Sequence, residues 1–196
     1  MTLTTLIVFA KPNRMGLSKT RLARDIGPSA AHRINTMAQA RVFREVMDPR
    51  WQTRLYLTPD KALFDRHPGF PEGAELWLQS PGDLGTRLTV AFDEAPLGNV
   101  IFIGTDMPDL RRTDIAATIN SLNTAPLVVG PAMDGGFWLM GLRKRIGSHA
   151  PFDEVRWSSA HTLSDVLRNV EGERAEWLDK RIDLDDGPSL KEWLER

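Results

Sequence analysis

The sequence has no cysteine among its 196 residues, which excludes disulfide bonds, thiolate metal sites and cysteine nucleophiles. This absence suits a reducing compartment, and we predict a cytoplasmic protein. The chain also lacks any apolar run close to the roughly 18 residues that a membrane-spanning helix needs. The short apolar run at residues 6–10 follows no basic segment and leads into a basic loop. It therefore predicts a first strand and not a signal peptide.

Positive and negative charges are nearly balanced, with a formal net charge of -1. Proteins that bind nucleic acids usually carry a clear basic excess, so we predict no nucleic-acid partner.

The four histidines are scattered without a metal-ligand spacing, and no G-x-S-x-G motif indicates Ser/His/Asp catalysis. Hydrophobic residues make up 41% and charged residues 26% of the chain, as in ordinary globular proteins. At this length we predict one domain, residues 1–196.

Short β-rich apolar runs alternate with helical patterns along most of the chain. The alternation is typical of an α/β fold, in which helices cover both faces of a mostly parallel sheet. Strands are predicted near residues 6–10, 54–58, 76–78, 100–103, 127–130, 137–142 and 181–184. Helices fill the intervals, with a break at Gly27-Pro28 and with these candidate N-caps: Asp83, Thr113, and Ser158 or Ser159.

Four cations surround Gly16 in the loop after the first strand: Lys11, Arg14, Lys19 and Arg21. Ligands of open α/β sheets bind beyond the carboxyl ends of the strands, and backbone amides at a helix N-terminus attract anions. The loop is therefore a candidate cradle for a di- or triphosphate, although a solvated basic loop explains the spacing equally well. It is not a P-loop, because no glycine directly precedes Lys19.

Acidic residues follow two of the predicted strands. Asp106 comes directly after the most apolar strand, where a carboxylate is able to hold Mg²⁺ together with substrate phosphate oxygens. A turn-forming aspartate is the alternative interpretation. Asp183 and Asp185 lie near the C-terminus and would share one side of a strand. They either complete a metal site with Asp106 or form a solvent-facing acidic turn.

Three further loops have a possible ligand role and an equally good structural one. The paired glycines of Asp134-Gly135-Gly136 let a backbone approach a ligand, or they form a tight turn between strands. Gly82-Asp83, followed by Arg87, contacts a ligand, caps a helix, or does both. Trp157-Ser158 offers an aromatic wall and a hydroxyl group, or it is a helix cap with a packed tryptophan.

Six motifs occur in an order that resembles one known family. They are Phe9-Ala-Lys-Pro12 with Gly16 and Lys19-Thr-Arg-Leu22; Gly82-Asp-Leu-Gly85 with Arg87-Leu88; Gly104-Thr-Asp-Met-Pro108; Gly130-Pro131 with Asp134-Gly-Gly-Phe137 and Gly141-Leu142; Trp157-Ser158; and Asp183-Leu-Asp185. Together they resemble the bacterial, glycosyltransferase-A-like family of nucleotide-diphospho-sugar transferases, whose substrates are largely unassigned. That family is similar to the 2-phospho-L-lactate guanylyltransferases and the molybdenum-cofactor nucleotidyltransferases.

The resemblance implies a Rossmann-like nucleotide-diphospho-sugar transferase fold with a mixed sheet, and it implies a role for each motif. Asp106 and Asp185 would bind Mg²⁺ or Mn²⁺, with Asp106 and Lys19 acting in catalysis. The nucleotide would lie against residues of the first loop and of the second motif: Ala10, Lys11, Gly16, Lys19, Arg21, Gly82, Asp83 and Arg87. The sugar or acceptor would face Asp134, Gly135, Gly136, Trp157 and Ser158.

The leading hypothesis is a metal-dependent transferase that uses a nucleoside diphosphate sugar. A nucleotidyltransferase, in which a phosphorylated acceptor attacks a nucleoside triphosphate and releases pyrophosphate, needs the same residues and is the first alternative. A non-catalytic nucleotide-binding protein is the second. In each case the expected partner is a nucleotide or a nucleotide sugar.

Overall fold

A computed structural model of the chain describes residues 2–14, 18–64 and 69–196, and these residues form one sheet with helices on both faces. The strands are β1 (Thr4–Ala10), β2 (Gln52–Leu57), β3 (Glu75–Leu78), β4 (Gly98–Gly104), β5 (Leu127–Pro131), β6 (Phe137–Lys144) and β7 (Ala175–Trp177). The helices are α1 (Thr20–Ile26), α2 (Pro28–Val46), α3 (Lys61–Phe64), α4 (Leu84–Glu94), α5 (Arg112–Ser121), α6 (Thr162–Arg168) and α7 (Gly187–Leu194).

The sheet has the order β3-β2-β1-β4-β6-β5-β7. Strands β3, β2, β1 and β4 run parallel to one another, β6 is antiparallel to both β4 and β5, and β7 is parallel to β5. The predicted α/β architecture with a mostly parallel, mixed sheet is therefore confirmed. Because β6 runs against β4, the start of β6 lies at the same edge of the sheet as the carboxyl ends of β1 and β4.

The central strands β1 and β4 are buried on both faces, as their nearly continuous apolar sequences require. On one face, Val42 and Phe43 of α2 and Ile115 of α5 pack on the sheet. On the other face, Leu88 and Phe92 of α4 and other side chains from α6 do so. No helix among residues 2–14, 18–64 and 69–196 is long and apolar enough to cross a membrane.

The break between α1 and α2 falls at Gly27-Pro28, as predicted. Gly27 has φ +85°, a left-handed value that favours glycine, and Pro28 occupies the first turn of α2, where its missing N–H costs nothing. Helices α1, α2 and α7 then enclose a small separate core through Leu22, Ala31 and Leu190, with Leu184 from the segment before α7.

The predicted strand at residues 181–184 is wrong, because only Arg181 makes a β-bridge, with Ala132. The apolar alternation is nevertheless present, since Ile182 and Leu184 are buried. The Leu184 N–H donates to the carbonyl of Asp106 at 2.9 Å instead of joining the sheet. The segment therefore crosses the ends of the strands, and the last strand is the three-residue β7, which the sequence patterns did not predict.

Two of the predicted helix caps are also wrong. Helix α5 begins after Arg111, whose N–H donates to the carboxylate of Asp114, so Thr113 lies inside the helix. Helix α6 begins after His161, which places Ser158 and Ser159 in the turns before it. The third prediction is confirmed, because the side chain of Asp83 accepts the Thr86 N–H at 2.8 Å and caps α4.

Candidate functional site

A cavity of about 320 Å³ opens at the edge of the sheet where β1 and β4 end and β6 begins. Its apolar wall is formed by Ile7, Phe9, Leu84, Leu88, Phe102, Ile103, Phe137, Trp138 and Trp157, and its polar side chains are Asp106, Asp134, Ser158, Thr162, Asp183 and Asp185. Ligands of open α/β sheets bind at this edge, so the cavity is the candidate site.

Lys19 joins the first loop to the aspartates of the cavity. Its ammonium group lies 2.8 Å from Asp106 Oδ1 and 3.9 Å from Asp185 Oδ1, and it donates a hydrogen bond to the carbonyl of Leu184. The side chain is only 3% exposed, whereas the Asp106 and Asp185 side chains are 45% and 42% exposed. Two solvent-accessible carboxylates therefore converge on one buried cation.

Lys19 has an uncommon backbone conformation. It directly precedes α1 and adopts the left-handed conformation with φ 56°. Non-glycine residues rarely adopt this conformation unless the surrounding structure imposes it, and such residues concentrate at functional sites. Ser158, which lines the cavity, has φ 54°, so two residues of the site share this uncommon backbone state.

Two buried polar residues of α2 hold the ends of the first loop, and the sequence analysis did not identify them. The side-chain amide of Asn35 donates to Asn13 Oδ1 at 2.7 Å and to Ser18 Oγ at 3.0 Å. Gln39 donates to the carbonyl of Lys11 at 3.0 Å. Both residues lie on the apolar side of α2, where polar residues are uncommon. Their position in the apolar pattern of the sequence could have indicated a structural role.

Asp185 has a second cationic partner, Arg21, whose Nη1 donates to Asp185 Oδ2 at 3.1 Å. The neighbouring Asp186 caps α7 by accepting the Ser189 N–H at 2.9 Å. The cap orders the backbone directly after Asp185 and so helps to fix the position of its carboxylate.

Asp183 and Asp134 concentrate further negative charge in the cavity. Burial, together with the negative charges of Asp134 and Asp106, raises the pKa of Asp183 to about 6. Asp134 Oδ1 accepts the Gly136 N–H at 2.8 Å, which fixes its carboxylate. The neighbouring carboxylates that contribute to this raised pKa would also attract a positive charge into the cavity.

The turn that carries Trp157 and Ser158 is held by an ion-pair network. Arg156 donates to both oxygens of Asp165, at 2.7 and 2.8 Å, and Arg168 donates to the same carboxylate at 2.7 Å. Asp165 is 1% exposed, and these hydrogen bonds hold its pKa well below the usual range. The network ties the turn to α6 and so positions Trp157 at the cavity wall.

A close approach to α4 also positions Trp157. A Cβ atom on Gly85 would lie 2.8 Å from Trp157 Nε1 and 2.8 Å from the carbonyl oxygen of Phe152. Only glycine leaves room for this contact. The ring of Trp157 also packs on those of Phe152 and Phe137, with centroids 6.1 and 6.5 Å apart.

The residues proposed from the sequence divide into three groups. Those that line the cavity are Asp106, Asp134, Gly136, Trp157, Ser158 and Asp185, and Lys19 and Arg21 contact these carboxylates. Those that do not line it are Ala10, Lys11, Gly82, Asp83, Arg87 and Gly135. Gly16 lies outside the described residues.

Local structure accounts for several residues of the second group. Gly135 has φ +91°, and a Cβ atom there would lie 2.4 Å from the carbonyl oxygen of Ala160, so its glycine is needed for backbone packing. Arg87 donates to Gln79 Oε1 at 3.2 Å. A direct contact of Gly82, Asp83 or Arg87 with a ligand stays a prediction.

The donors present fit a divalent cation that shares its coordination with a ligand. The described part of the chain has no group of three or more histidine or acidic side chains arranged to hold a metal. Mg²⁺, however, typically takes only one or two carboxylates and completes its shell with water and phosphate oxygens. Asp106 and Asp185 meet that requirement, since both already face one positive charge.

Comparison with solved structures confirms the fold. A candidate nucleotide-diphospho-sugar transferase from Desulfovibrio desulfuricans G20 is similar over 95% of this chain and 84% of its own, with a TM-score of 0.84 and 24% identity. Rv0371c from Mycobacterium tuberculosis H37Rv, in complex with manganese, has a TM-score of 0.56 and 16% identity over 100% and 99% of the two chains.

A third similar structure is the 4-diphosphocytidyl-2C-methyl-D-erythritol synthase of Anaerococcus prevotii, with a TM-score of 0.63 and 10% identity over 100% and 99% of the chains. These likenesses establish the Rossmann-like nucleotide-diphospho-sugar transferase fold. No curated protein matches the sequence. The sequence family described as uncharacterized proteins conserved in bacteria, DUF2064, matches residues 42–159, and the chain belongs to that family.

Proposed function

We propose that this protein is a divalent-cation-dependent transferase whose donor is a nucleoside diphosphate sugar. The observation that carries the proposal is the convergence of Asp106 and Asp185 on one buried cation, Lys19, at a cavity beyond the carboxyl ends of β1 and β4. Carboxylates beside basic groups at this edge suit a ligand with a diphosphate and its metal ion. Rv0371c, a protein of the same fold, binds manganese.

Asp106 and Asp185 would hold the Mg²⁺ or Mn²⁺ ion, which would stabilise the negative charge that develops on the departing nucleoside diphosphate. Lys19 and Arg21 would offset the remaining phosphate charge, together with Lys11 of the same loop. The acceptor oxygen forms a bond to the anomeric carbon while the bond from that carbon to the diphosphate oxygen breaks. The bonding electrons leave with the diphosphate, and the hydroxyl proton passes to a cavity carboxylate or to water.

The apolar wall suits the other parts of such a donor. Phe9 and Leu88 line the cavity near the first loop and the N-terminus of α4, where a nucleobase would pack against apolar side chains. Trp157 and Phe137 line it beside Asp134 and Asp183, where the transferred sugar would meet its acceptor. The base would thus contact apolar side chains, the diphosphate would contact cations, and the sugar would contact aromatic rings.

A nucleotidyltransferase is the second candidate, because a synthase that forms a diphosphocytidyl compound shares the fold. In that reaction the acceptor oxygen attacks the α-phosphorus of a nucleoside triphosphate, and pyrophosphate leaves with the bonding electrons. The basic loop and the two aspartates would neutralise charge in both reactions, so the product released is what distinguishes them.

The test is to incubate the purified protein with Mn²⁺, nucleoside triphosphates or nucleotide sugars, and a panel of acceptors, and to identify the products. Release of a nucleoside diphosphate is the expected result. Release of pyrophosphate would replace the sugar transferase with the nucleotidyltransferase. Binding without turnover across the panel would identify a non-catalytic nucleotide-binding protein, and a parallel reaction with EDTA tests the metal requirement.

A further inference from the structure

The cavity carries far more negative than positive charge on its surface. Its described lining includes four aspartates, Asp106, Asp134, Asp183 and Asp185, and no lysine, arginine or histidine. Two cations contact these carboxylates: Lys19, which is 3% exposed and lies near Asp106 and Asp185, and Arg21, which pairs with Asp185.

The ion pairs divide the four aspartates into two pairs. Asp106 and Asp185 have cationic partners, whereas Asp134 and Asp183 have none within 4.0 Å among residues 2–14, 18–64 and 69–196. A metal ion bound between the first pair would leave the second pair uncompensated. One oxygen of Asp134 accepts the Gly136 N–H, and the other makes no hydrogen bond with the described residues.

The wall beside this second pair is aromatic. Phe137 and Trp157 line the cavity together, with ring centroids 6.5 Å apart, and neither side chain is fully buried. Flat apolar rings accept the C–H face of a carbohydrate ring, while carboxylates accept hydrogen bonds from its hydroxyl groups. A phosphate group in the same place would meet two negative charges without a compensating cation.

We infer that the acceptor is a hydroxyl-rich molecule without an anionic group, a neutral sugar or an amino sugar, bound by Asp134 and Asp183 against Trp157. This inference rests on the transferase function proposed above, and it names the second substrate of the same site. In this arrangement the phosphates of the donor would lie near Asp106, Lys19 and the metal ion. The uncharged or cationic acceptor would lie near Asp134 and Asp183.

The experiment compares matched compounds that differ only in a phosphate group: glucose with glucose 6-phosphate, glucosamine with glucosamine 6-phosphate, and glycerol with glycerol 3-phosphate. Each is titrated into the protein with Mn²⁺ and a nucleoside diphosphate present, and binding is followed by calorimetry, with the heat of titration into the same buffer without protein subtracted. We expect the compound without phosphate to bind at least tenfold more tightly in at least one pair. Tighter binding of the phosphorylated member in every pair that binds overturns the inference, and so does an absence of binding by all three compounds without phosphate.

Variants test whether Asp134 and Asp183 cause the preference for compounds without phosphate. In the double variant Asp134→Asn, Asp183→Asn the preference for the compound without phosphate should fall about tenfold, because the amides keep hydrogen-bonding capacity and remove the charge. Asp93→Asn, an exposed change at the far end of α4, should leave the preference unchanged. An unaltered preference in the double variant contradicts the assignment to these two carboxylates.

Nucleotide binding is measured separately on the same samples. If nucleotides bind with Mn²⁺ but the phosphorylated compounds are preferred, the acceptor inference fails and the transferase proposal stands. If no nucleotide binds although sugars do, the transferase proposal fails.

Discussion

Lys19 Nζ lies 2.8 Å from Asp106 Oδ1 and connects the loop after β1 to the residue that follows β4. The same ammonium group is 3.9 Å from Asp185 Oδ1 and donates to the carbonyl of Leu184. One buried cation thus joins three segments that are far apart in sequence, and it lies near both proposed metal ligands.

Replacing Asp106 by asparagine should remove the metal-dependent part of nucleotide binding. The amide is a weaker ligand for Mn²⁺ than a carboxylate, and only Asp185 would keep its charge. We expect the gain in nucleotide affinity on adding Mn²⁺ to fall by a factor of ten or more, a change of about 1.4 kcal/mol in binding free energy. Calorimetric titration with and without Mn²⁺ measures it. Asp93→Asn is the control, and an equal gain in both variants would refute the metal assignment.

Replacing Lys19 by methionine should raise the affinity for Mn²⁺ alone. Methionine retains much of the buried volume and removes the ammonium group that competes for Asp106 and Asp185. Without metal the variant should unfold at a lower temperature, because charged hydrogen bonds worth about 2 kcal/mol are lost. Added Mn²⁺ should raise its melting temperature more than that of the wild type.

Lys191→Met is the matched control for that experiment, since the Lys191 side chain is 78% exposed and forms an ion pair with Glu195 at 3.9 Å, on the surface and away from the aspartates of the cavity. Its Mn²⁺ affinity should equal that of the wild type. A weaker Mn²⁺ affinity in Lys19→Met than in this control would show that the ammonium group supports metal binding and does not compete with it.

The sequence predicts the part of the site that rests on local pattern. Asp106 lies at the cavity because a buried apolar strand ends just before it, and the carboxyl edge of a sheet collects ligand-binding loops. Asp183 and Asp185 both reach the cavity because Ile182 and Leu184 alternate with them and are buried. The alternation does not reveal that the segment bonds to Asp106 instead of to a neighbouring strand.

The remaining features depend on contacts between distant segments. The sequence places Lys19 in a basic loop, and nothing local shows that its side chain turns inward to Leu184 and Asp106. The need for glycine at position 85 arises from the approach of Trp157, which depends on how the turn before α6 packs. Propensity and periodicity carry no information on such pairs until the fold is known.

Gly85→Ala should destabilise the protein although alanine favours helices. In an exposed helical position the change stabilises by roughly 0.5–1 kcal/mol. Here the added Cβ would lie 2.8 Å from Trp157 Nε1 and from the carbonyl oxygen of Phe152, so the tryptophan turn must move. We expect a lower melting temperature and weaker binding of nucleotide sugars. Asp93→Ala in the same helix controls for propensity, and a Gly85→Ala protein that melts at or above the wild-type temperature would contradict the packing argument.

Asp165→Asn should lower the free energy of unfolding, and the size of this loss should depend on pH. The hydrogen bonds from Arg156 and Arg168 lower the pKa of Asp165 in the folded state, whereas an unfolded aspartate titrates near 3.9. The wild type therefore has this stabilisation in full above about pH 5 and loses it as the pH falls through the range below 4. Urea denaturation should show a clear loss of stability for the variant at pH 7, and a smaller difference at pH 3. A difference that is the same at both pH values would show that the ionised carboxylate does not hold the Trp157 turn.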